Sequence, residues 1–163
     1  MLIVQKFGGS SVADASCLQR VAWIIAEKYS EGNDVVVVLS AQGDTTDDLI
    51  TKAYEINPNP SKREMDVLLS TGEQMSIALM SMALEKLGLP AVSLTGWQIG
   101  MQTNSEYGNA RIKKVSGERI KAELDRRRIV IIAGFQGFRH DQCSIGGSFK
   151  HVNGCRHRAV ERL

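Results

Sequence analysis

A chain of 163 residues, 43% of them hydrophobic, is long enough for one domain with a substantial core. Its net charge of +2 argues against a polyanionic partner, so no nucleic acid is expected. Three cysteines, an odd number, suit a reducing compartment better than a disulfide framework. No apolar run of membrane-spanning length is evident and no signal-peptide pattern opens the chain, so the expectation is a cytoplasmic protein with no membrane partner.

Ile3 to Phe7 is an apolar strand carrying Lys6, and Gly8-Gly9-Ser10-Ser11 follow it. Glycines let main-chain N–H groups approach a ligand closely. A helix beginning there would add its N-terminal partial positive charge, and Lys6 adds a full charge suited to phosphoryl oxygens. Neither G-x-x-x-x-G-K-[ST] nor G-x-G-x-x-G occurs, and a plain tight turn is the alternative reading.

Leu18, Val21, Ala22 and Ile25 recur at helical spacing, which predicts an amphipathic helix over 14–30, capped by Ser11 or Asp14 and ended by Gly32-Asn33. Asp34 to Leu39 contains four consecutive valines, the pattern of a strand buried on both faces. It runs into the polar turn Ser40-Ala41-Gln42-Gly43-Asp44-Thr45-Thr46 and a helix to Glu55, followed by a loop at Asn57-Pro58-Asn59-Pro60.

A long helix is predicted from Lys62 to Leu87, broken near Gly72, with Met65, Met75, Met80 and Met82 as core filler. Ala91 to Leu94 is a short strand, Ser116 to Arg126 a helix, and Ile129 to Ala133 a further buried strand. Trp23 and Trp97 are expected to pack inside, and Arg126-Arg127-Arg128 to be a solvated helix end. Strands alternating with helices predict an α/β fold with a mainly parallel sheet. In such sheets ligands sit at the carboxyl ends of strands, where Lys6 to Ser11, Ser40 to Thr46 and Gly134 to Gly137 all fall.

Read together, the Lys6-Phe7-Gly8-Gly9-Ser10-Ser11 string, the Val35 to Asp47 segment, Ser70-Thr71-Gly72-Glu73, Gly108-Asn109-Ala110-Arg111 and Gly134-Phe135-Gln136-Gly137 closely resemble the bacterial aspartate kinases of the amino acid kinase family. The resemblance spans residues 1 to about 138, with the motifs in the family's order. It implies a three-layer α/β/α sandwich like carbamate kinase. It also implies ATP and Mg2+ as cofactors and L-aspartate as the phosphoryl acceptor, with a homo-oligomer possible.

By the same resemblance, Lys6, Gly8 and Gly9 stabilise the moving γ-phosphoryl group, and Lys6, Phe7, Gly8, Gly9 and Ser10 belong to the nucleotide site. Thr46 and Glu73 match the residues that hold the amino-acid substrate, with Glu73 suited to its ammonium group, and Ser40 and Phe135 match the same pocket. The residues alone leave plainer roles open: a solvated helix charge for Glu73, a helix cap for Thr46, core packing for Phe135.

After Phe138 the pattern departs. The family continues with a Gly-Arg-Gly-Gly-Ser-Asp-type segment, whereas this chain has Cys143-Ser144-Ile145-Gly146-Gly147-Ser148 without the arginine and aspartate. Residues 139–163 carry five Lys or Arg against two Asp or Glu, all three histidines and two of the three cysteines. The expectation is two segments: 1–138, the N-terminal part of a kinase domain and so an incomplete fold, and 139–163, an atypical tail from a shifted reading frame or truncated gene. Cys143, His151, Cys155 and His157 offer a zinc site as the rival reading of that tail. The functional expectation is aspartate kinase chemistry; the alternatives are an inactive truncated domain or a related kinase acting on another acidic amino acid.

Overall fold

The computed structural model describes residues 1–104, 111–134 and 136. Strand β1 (Leu2–Phe7) is followed by a short 3-10 turn over Gly9–Val12, helix α1 (Ala15–Ser30), strand β2 (Asp34–Leu39) and helix α2 (Thr45–Ile56). Helix α3 (Lys62–Lys86) leads to strand β3 (Ala91–Leu94). Two short strands, β4 (Gln102–Thr103) and β5 (Ile112–Lys114), then precede helix α4 (Glu118–Asp125) and strand β6 (Ile129–Ala133).

The main sheet runs β1-β2-β6-β3, with every neighbouring pair parallel. Only β4 and β5 pair antiparallel, in a separate small ribbon. All five residues of β6 are buried, as a central strand covered on both faces requires. One face of the sheet packs on α1 and α3, where Leu18, Val21, Ile25, Ile77, Met80 and Leu84 meet Val35, Val37, Leu39 and Ile131. The other face packs on α4, with Ile120 and Ile99 against Val36, Val130 and Ile132. A parallel sheet between helical layers is therefore present in this chain.

Several local expectations need correction. Helix α3 passes unbroken through Gly72. A Cβ on Gly72 would lie 3.0 Å from the Ala41 methyl, so this glycine lets the helix close on the turn after β2 rather than ending it. Of the four methionines only Met80 belongs to the core, and Met75 and Met82 are exposed. Trp23 and Trp97 are exposed as well, because their positions fall on the outer sides of their elements.

Helix α3 is also long and apolar enough, by length and composition, to cross a membrane, contrary to the expectation of no such segment. Its Ile77, Met80 and Leu84 lie in the core against the sheet, and Asp66, Ser70, Glu73 and Ser76 are buried along it.

The three arginines after α4 do more than solvate a helix end. Glu123 is wholly buried, and its carboxylate is met by Arg119 at 2.8 Å, Arg128 at 3.0 Å and Arg126 at 3.7 Å. Arg127 adopts a positive φ of 56° and turns away to pair with Asp34 at 2.8 Å. Its carbonyl accepts the Tyr29 hydroxyl at 2.7 Å. Together these contacts tie the α4–β6 turn to the start of β2 and the end of α1.

Candidate active site

The register of the sheet brings four strand exits to one edge. Phe7 pairs with Leu39, Leu39 with Ala133, and Leu94 with Ile132. Each strand therefore delivers its next residues to the same end of the molecule: Gly8-Gly9, Ser40-Ala41, Gly134 and Thr95-Gly96. Ser40 N–H donates to the Phe7 carbonyl at 3.2 Å and Gly134 N–H to the Leu39 carbonyl at 2.8 Å, carrying the ladder just past the strands.

The two glycines after β1 have different tasks. A Cβ on Gly8 would meet nothing within 4 Å, so its backbone borders open space. A Cβ on Gly9 would fall 2.6 Å from the Ala41 carbonyl oxygen, so only glycine lets the first turn pack against the second. Gly43 N–H donates to the Gly9 carbonyl at 3.1 Å, and the Gln42 amide donates to the Val12 carbonyl at 2.7 Å. The first two turns thus form one braced unit.

The helix expected to point into this turn does not. A 3-10 turn over Gly9–Val12 intervenes, and the Asp14 carboxylate caps α1, accepting the Cys17 N–H at 2.8 Å. That bond and one from the Ser16 hydroxyl lower the Asp14 carboxyl to about 2. The start of α1 is already held by an anion of the chain itself, so positive charge near Gly8 comes from Lys6 and the turn's own amides.

Lys6 pairs in register with Val38, which packs on the α4 side of the sheet, while Phe7 packs on the α1–α3 side. Alternation along the strand sends Lys6 to the face opposite Phe7. Its side chain is exposed and forms no ion pair among the described residues. Ser10 is exposed beside it in the 3-10 turn, and Ser40 is half-buried at the exit of β2.

Glu73 comes from the opposite side. It lies on α3 one residue after Gly72, the point where that helix touches the β2 turn, and it is 5% exposed. Its Oε1 accepts the Ala41 N–H at 3.4 Å, while Oε2 is buried without a partner among the described residues. Burial pushes the carboxyl up to about 7, against the smaller opposing effect of the Ala41 N–H. A solvated helix charge, the plainer sequence reading, does not describe it. Thr46 is half-buried in the first turn of α2, beside Thr45, whose methyl would be 3.5 Å from a Cβ on Gly72. The edge therefore gathers Phe7, Gly8, Gly9, Ser10, Ser40, Thr46 and Glu73 on adjoining turns, with Lys6 approaching from the other face. Phe135 lies outside the described residues, as do Gly108 to Ala110 and all of 139–163.

The sequence reading passed over Gln136 in favour of its aromatic neighbour. Gln136 is buried, and its side-chain amide donates to the Ser70 carbonyl at 2.7 Å while its Oε1 accepts the Gly96 N–H at 3.5 Å. A polar residue three positions after a fully buried strand is the available signal, since both ends of such an amide need partners when buried.

Among the described residues, no group of three or more His, Cys, Asp or Glu is placed to hold a metal ion. Magnesium commonly binds through nucleotide phosphates with only one or two protein carboxylates.

Parallel topology, a glycine turn after β1, a lysine with no ion pair among the described residues, and a buried carboxylate at the same sheet edge define the class as an α/β protein with its candidate site at the strand exits. The sequence matches the amino acid kinase family over residues 1–148, and the chain belongs to that family. Within it, the chain is similar to the N-terminal part of aspartokinases. It is 57% identical over 136 residues to the aspartokinase of Geobacillus stearothermophilus, covering 83% of this chain and 33% of that protein. It is 54% identical over 140 residues to the aspartokinase of Mycolicibacterium smegmatis, covering 86% and 33%.

The crystal structure of aspartate kinase from Synechocystis superposes with a TM-score of 0.72 at 43% identity, covering 90% of this chain and 24% of that one. Escherichia coli aspartokinase III, solved with aspartate and ADP, shares the fold with a TM-score of 0.77 at 22% identity, over 91% of this chain and 43% of that one. The chain thus spans about one third of the length of the curated relatives it matches.

Proposed function

We propose that this chain carries the acceptor-binding and phosphoryl-binding half of an aspartate kinase site. The reaction would transfer the γ-phosphoryl group of ATP to the β-carboxylate of L-aspartate. The bond between the γ-phosphorus and the β–γ bridging oxygen breaks as one from a carboxylate oxygen forms, giving β-aspartyl phosphate and ADP. The observation that carries this reading is the meeting, at one sheet edge, of an open Gly8 backbone and a buried Glu73 with one unpartnered oxygen.

A carboxylate is already a nucleophile, so no general base is required, and the work is positioning and charge stabilisation. Glu73 Oε2 accepts an N–H of the substrate ammonium, which replaces the hydration lost on burial. The hydroxyls of Thr46 and Ser40 hold a substrate carboxylate, and the family resemblance assigns Phe135 to the same pocket. Lys6 and the amides at Gly8 and Gly9 face the charge that builds on the transferring oxygens, with Phe7 and Ser10 flanking the nucleotide's phosphates. Magnesium, when bound with the nucleotide, neutralises charge on its phosphate oxygens.

The high identity to aspartokinases supports aspartate as the acceptor, and the family supports ATP as donor. We assign 1–138 to the kinase-domain segment, whose described strands end in the turns named here. A cytoplasmic location and assembly as a homo-oligomer belong to the same proposal.

The test is to incubate the purified chain with MgATP and L-aspartate and trap acyl phosphate with hydroxylamine. Lys6-dependent aspartyl hydroxamate supports turnover by this chain. Aspartate binding with no hydroxamate restricts it to a binding role, and neither result rejects the reading.

A further inference from the structure

We propose that Gln136 is the positioning residue that sets the height of Glu73 in the acceptor pocket, by clamping the Ser70 turn of α3 to the exits of β6 and β3. The inference rests on the reading of Glu73 as an acceptor-binding group.

Three observations meet at this side chain. Gln136 stands just past β6 and is 4% exposed. Its Nε2–H reaches across to the Ser70 carbonyl at 2.7 Å, a carbonyl 66 residues distant in sequence and one helical turn before Glu73. Its Oε1 accepts the Gly96 N–H at 3.5 Å, and a Cβ on Gly96 would lie 2.5 Å from the Gln136 carbonyl oxygen. The exits of β3 and β6 are therefore pressed together, and the glutamine spans from that junction to α3.

The Ser70 carbonyl sits inside a continuous helix, so it needs no extra partner to satisfy the helix ladder. A buried side-chain amide spent on it fixes the helix against the sheet edge instead. The same helical turn is held from the other side, where Gly72 abuts the Ala41 methyl and Glu73 Oε1 takes the Ala41 N–H. The turn Ser70–Glu73 is thus gripped between the β2 exit and the β6 exit. Loss of one grip lets it shift, and a displacement of about 1 Å at a binding group can cost as much as 100-fold.

The experiment compares the full chain with its Gln136→Leu and Gln136→Glu variants. Three readouts are taken: thermal midpoint, the titration of Glu73 followed by carboxyl ¹³C NMR, and L-aspartate affinity by calorimetry at pH 8. The proposal expects Glu73 to titrate at lower pH in both variants at pH values where the new side chain cannot donate. It also expects aspartate to bind at least about tenfold more weakly. At pH 8 an ionised Gln136→Glu side chain has no proton to donate, so it loses the Ser70 contact while keeping the size of the glutamine, and it carries the test if Gln136→Leu does not fold.

A lower midpoint with unchanged Glu73 titration and unchanged aspartate affinity would overturn the proposal, since Gln136 would then be only a brace. If the unaltered chain binds no aspartate yet Glu73 titration shifts in the variants, the positioning role stands and the acceptor reading fails. If neither binding nor a shift is seen, both fail.

Discussion

Glu73 uses its two carboxylate oxygens unequally: Oε1 accepts the N–H of Ala41 at 3.4 Å, and Oε2 is buried with no partner among the described residues. An acceptor of that kind is costly in a structural carboxylate and useful in one that awaits a cation.

Glu73 makes the folded chain's stability depend on pH in a definite direction. Its carboxyl is raised from an ordinary value of 4.5 to about 7, so the folded state holds a proton that the unfolded chain has lost. Stability from this group is complete below about pH 4.5 and falls as pH rises toward 7, by on the order of 3 kcal/mol in all. Glu73→Gln removes that dependence. Urea denaturation at pH 5 and pH 8 should show a gap between the two conditions that narrows in the variant.

Ligand binding should run the opposite way. An ammonium ligand needs the ionised carboxylate, so aspartate affinity rises toward pH 7 and levels off above it. Below that, it falls by on the order of tenfold per pH unit. Calorimetric titration across pH 5.5 to 8.5 measures this slope, and a flat profile removes Glu73 from the ammonium contact.

Gly8 and Gly9 should separate under the same substitution. Gly9→Ala drives a Cβ to 2.6 Å from the Ala41 carbonyl and should destabilise the fold by about 1–3 kcal/mol. Gly8→Ala meets open space at a φ of −78°, so the fold should survive within about 0.5 kcal/mol while ATP affinity drops. Denaturation midpoints paired with nucleotide titration distinguish the two.

Lys6 should be dispensable for stability and needed for chemistry. It is exposed with no ion pair among the described residues, so Lys6→Met should leave the denaturation midpoint nearly unchanged. Removing one charge that faces the transferring oxygens should lower the transfer rate by roughly 10²–10³-fold. Single-turnover hydroxamate formation is the measurement.

The Glu123 cluster should respond non-additively. Replacing Arg119 alone leaves Arg126 and Arg128 on the buried carboxylate and should cost less than about 1 kcal/mol. Replacing all three strands an uncompensated buried charge and should cost about 3–5 kcal/mol. A set of single, double and triple Arg→Met variants tests whether the losses add.

Much of the fold was legible because it rests on local pattern. The valines of β2 and the apolar run of β6 identify central strands, and the Leu18–Val21–Ala22–Ile25 spacing fixes the buried stripe of α1. Features depending on contacts distant in sequence were not legible. Gly72 looks like a helix breaker until Ala41 is brought against it. The arginine run contacts a local partner, Glu123, but looks like a solvated end until the packing of α4 on the sheet is seen to bury that carboxylate. Trp23, Met75 and Met82 are apolar by type, and only the packing of α1 and α3 decides that they face outward.

The family's motifs nominate a candidate site as a set of residues, but not its geometry. Sequence placed a helix start at the glycine turn, whereas Asp14 occupies that start and a 3-10 turn intervenes. It named Glu73 without its burial, and it read Phe135 rather than the buried Gln136 beside it. Both omissions have one cause: burial of a polar side chain at a sheet edge depends on which other strand exits arrive there.

The most direct test of the acceptor site is calorimetric titration of the chain at pH 8 with L-aspartate and with succinate, which keeps both carboxylates and lacks the amino group. The proposed function predicts that aspartate binds at least about tenfold more tightly than succinate, because it assigns Glu73 to the ammonium group. It further predicts that Glu73→Gln abolishes the difference. Equal affinity for the two ligands, or a preference that survives Glu73→Gln, would contradict the assignment of Glu73 as the ammonium-binding group.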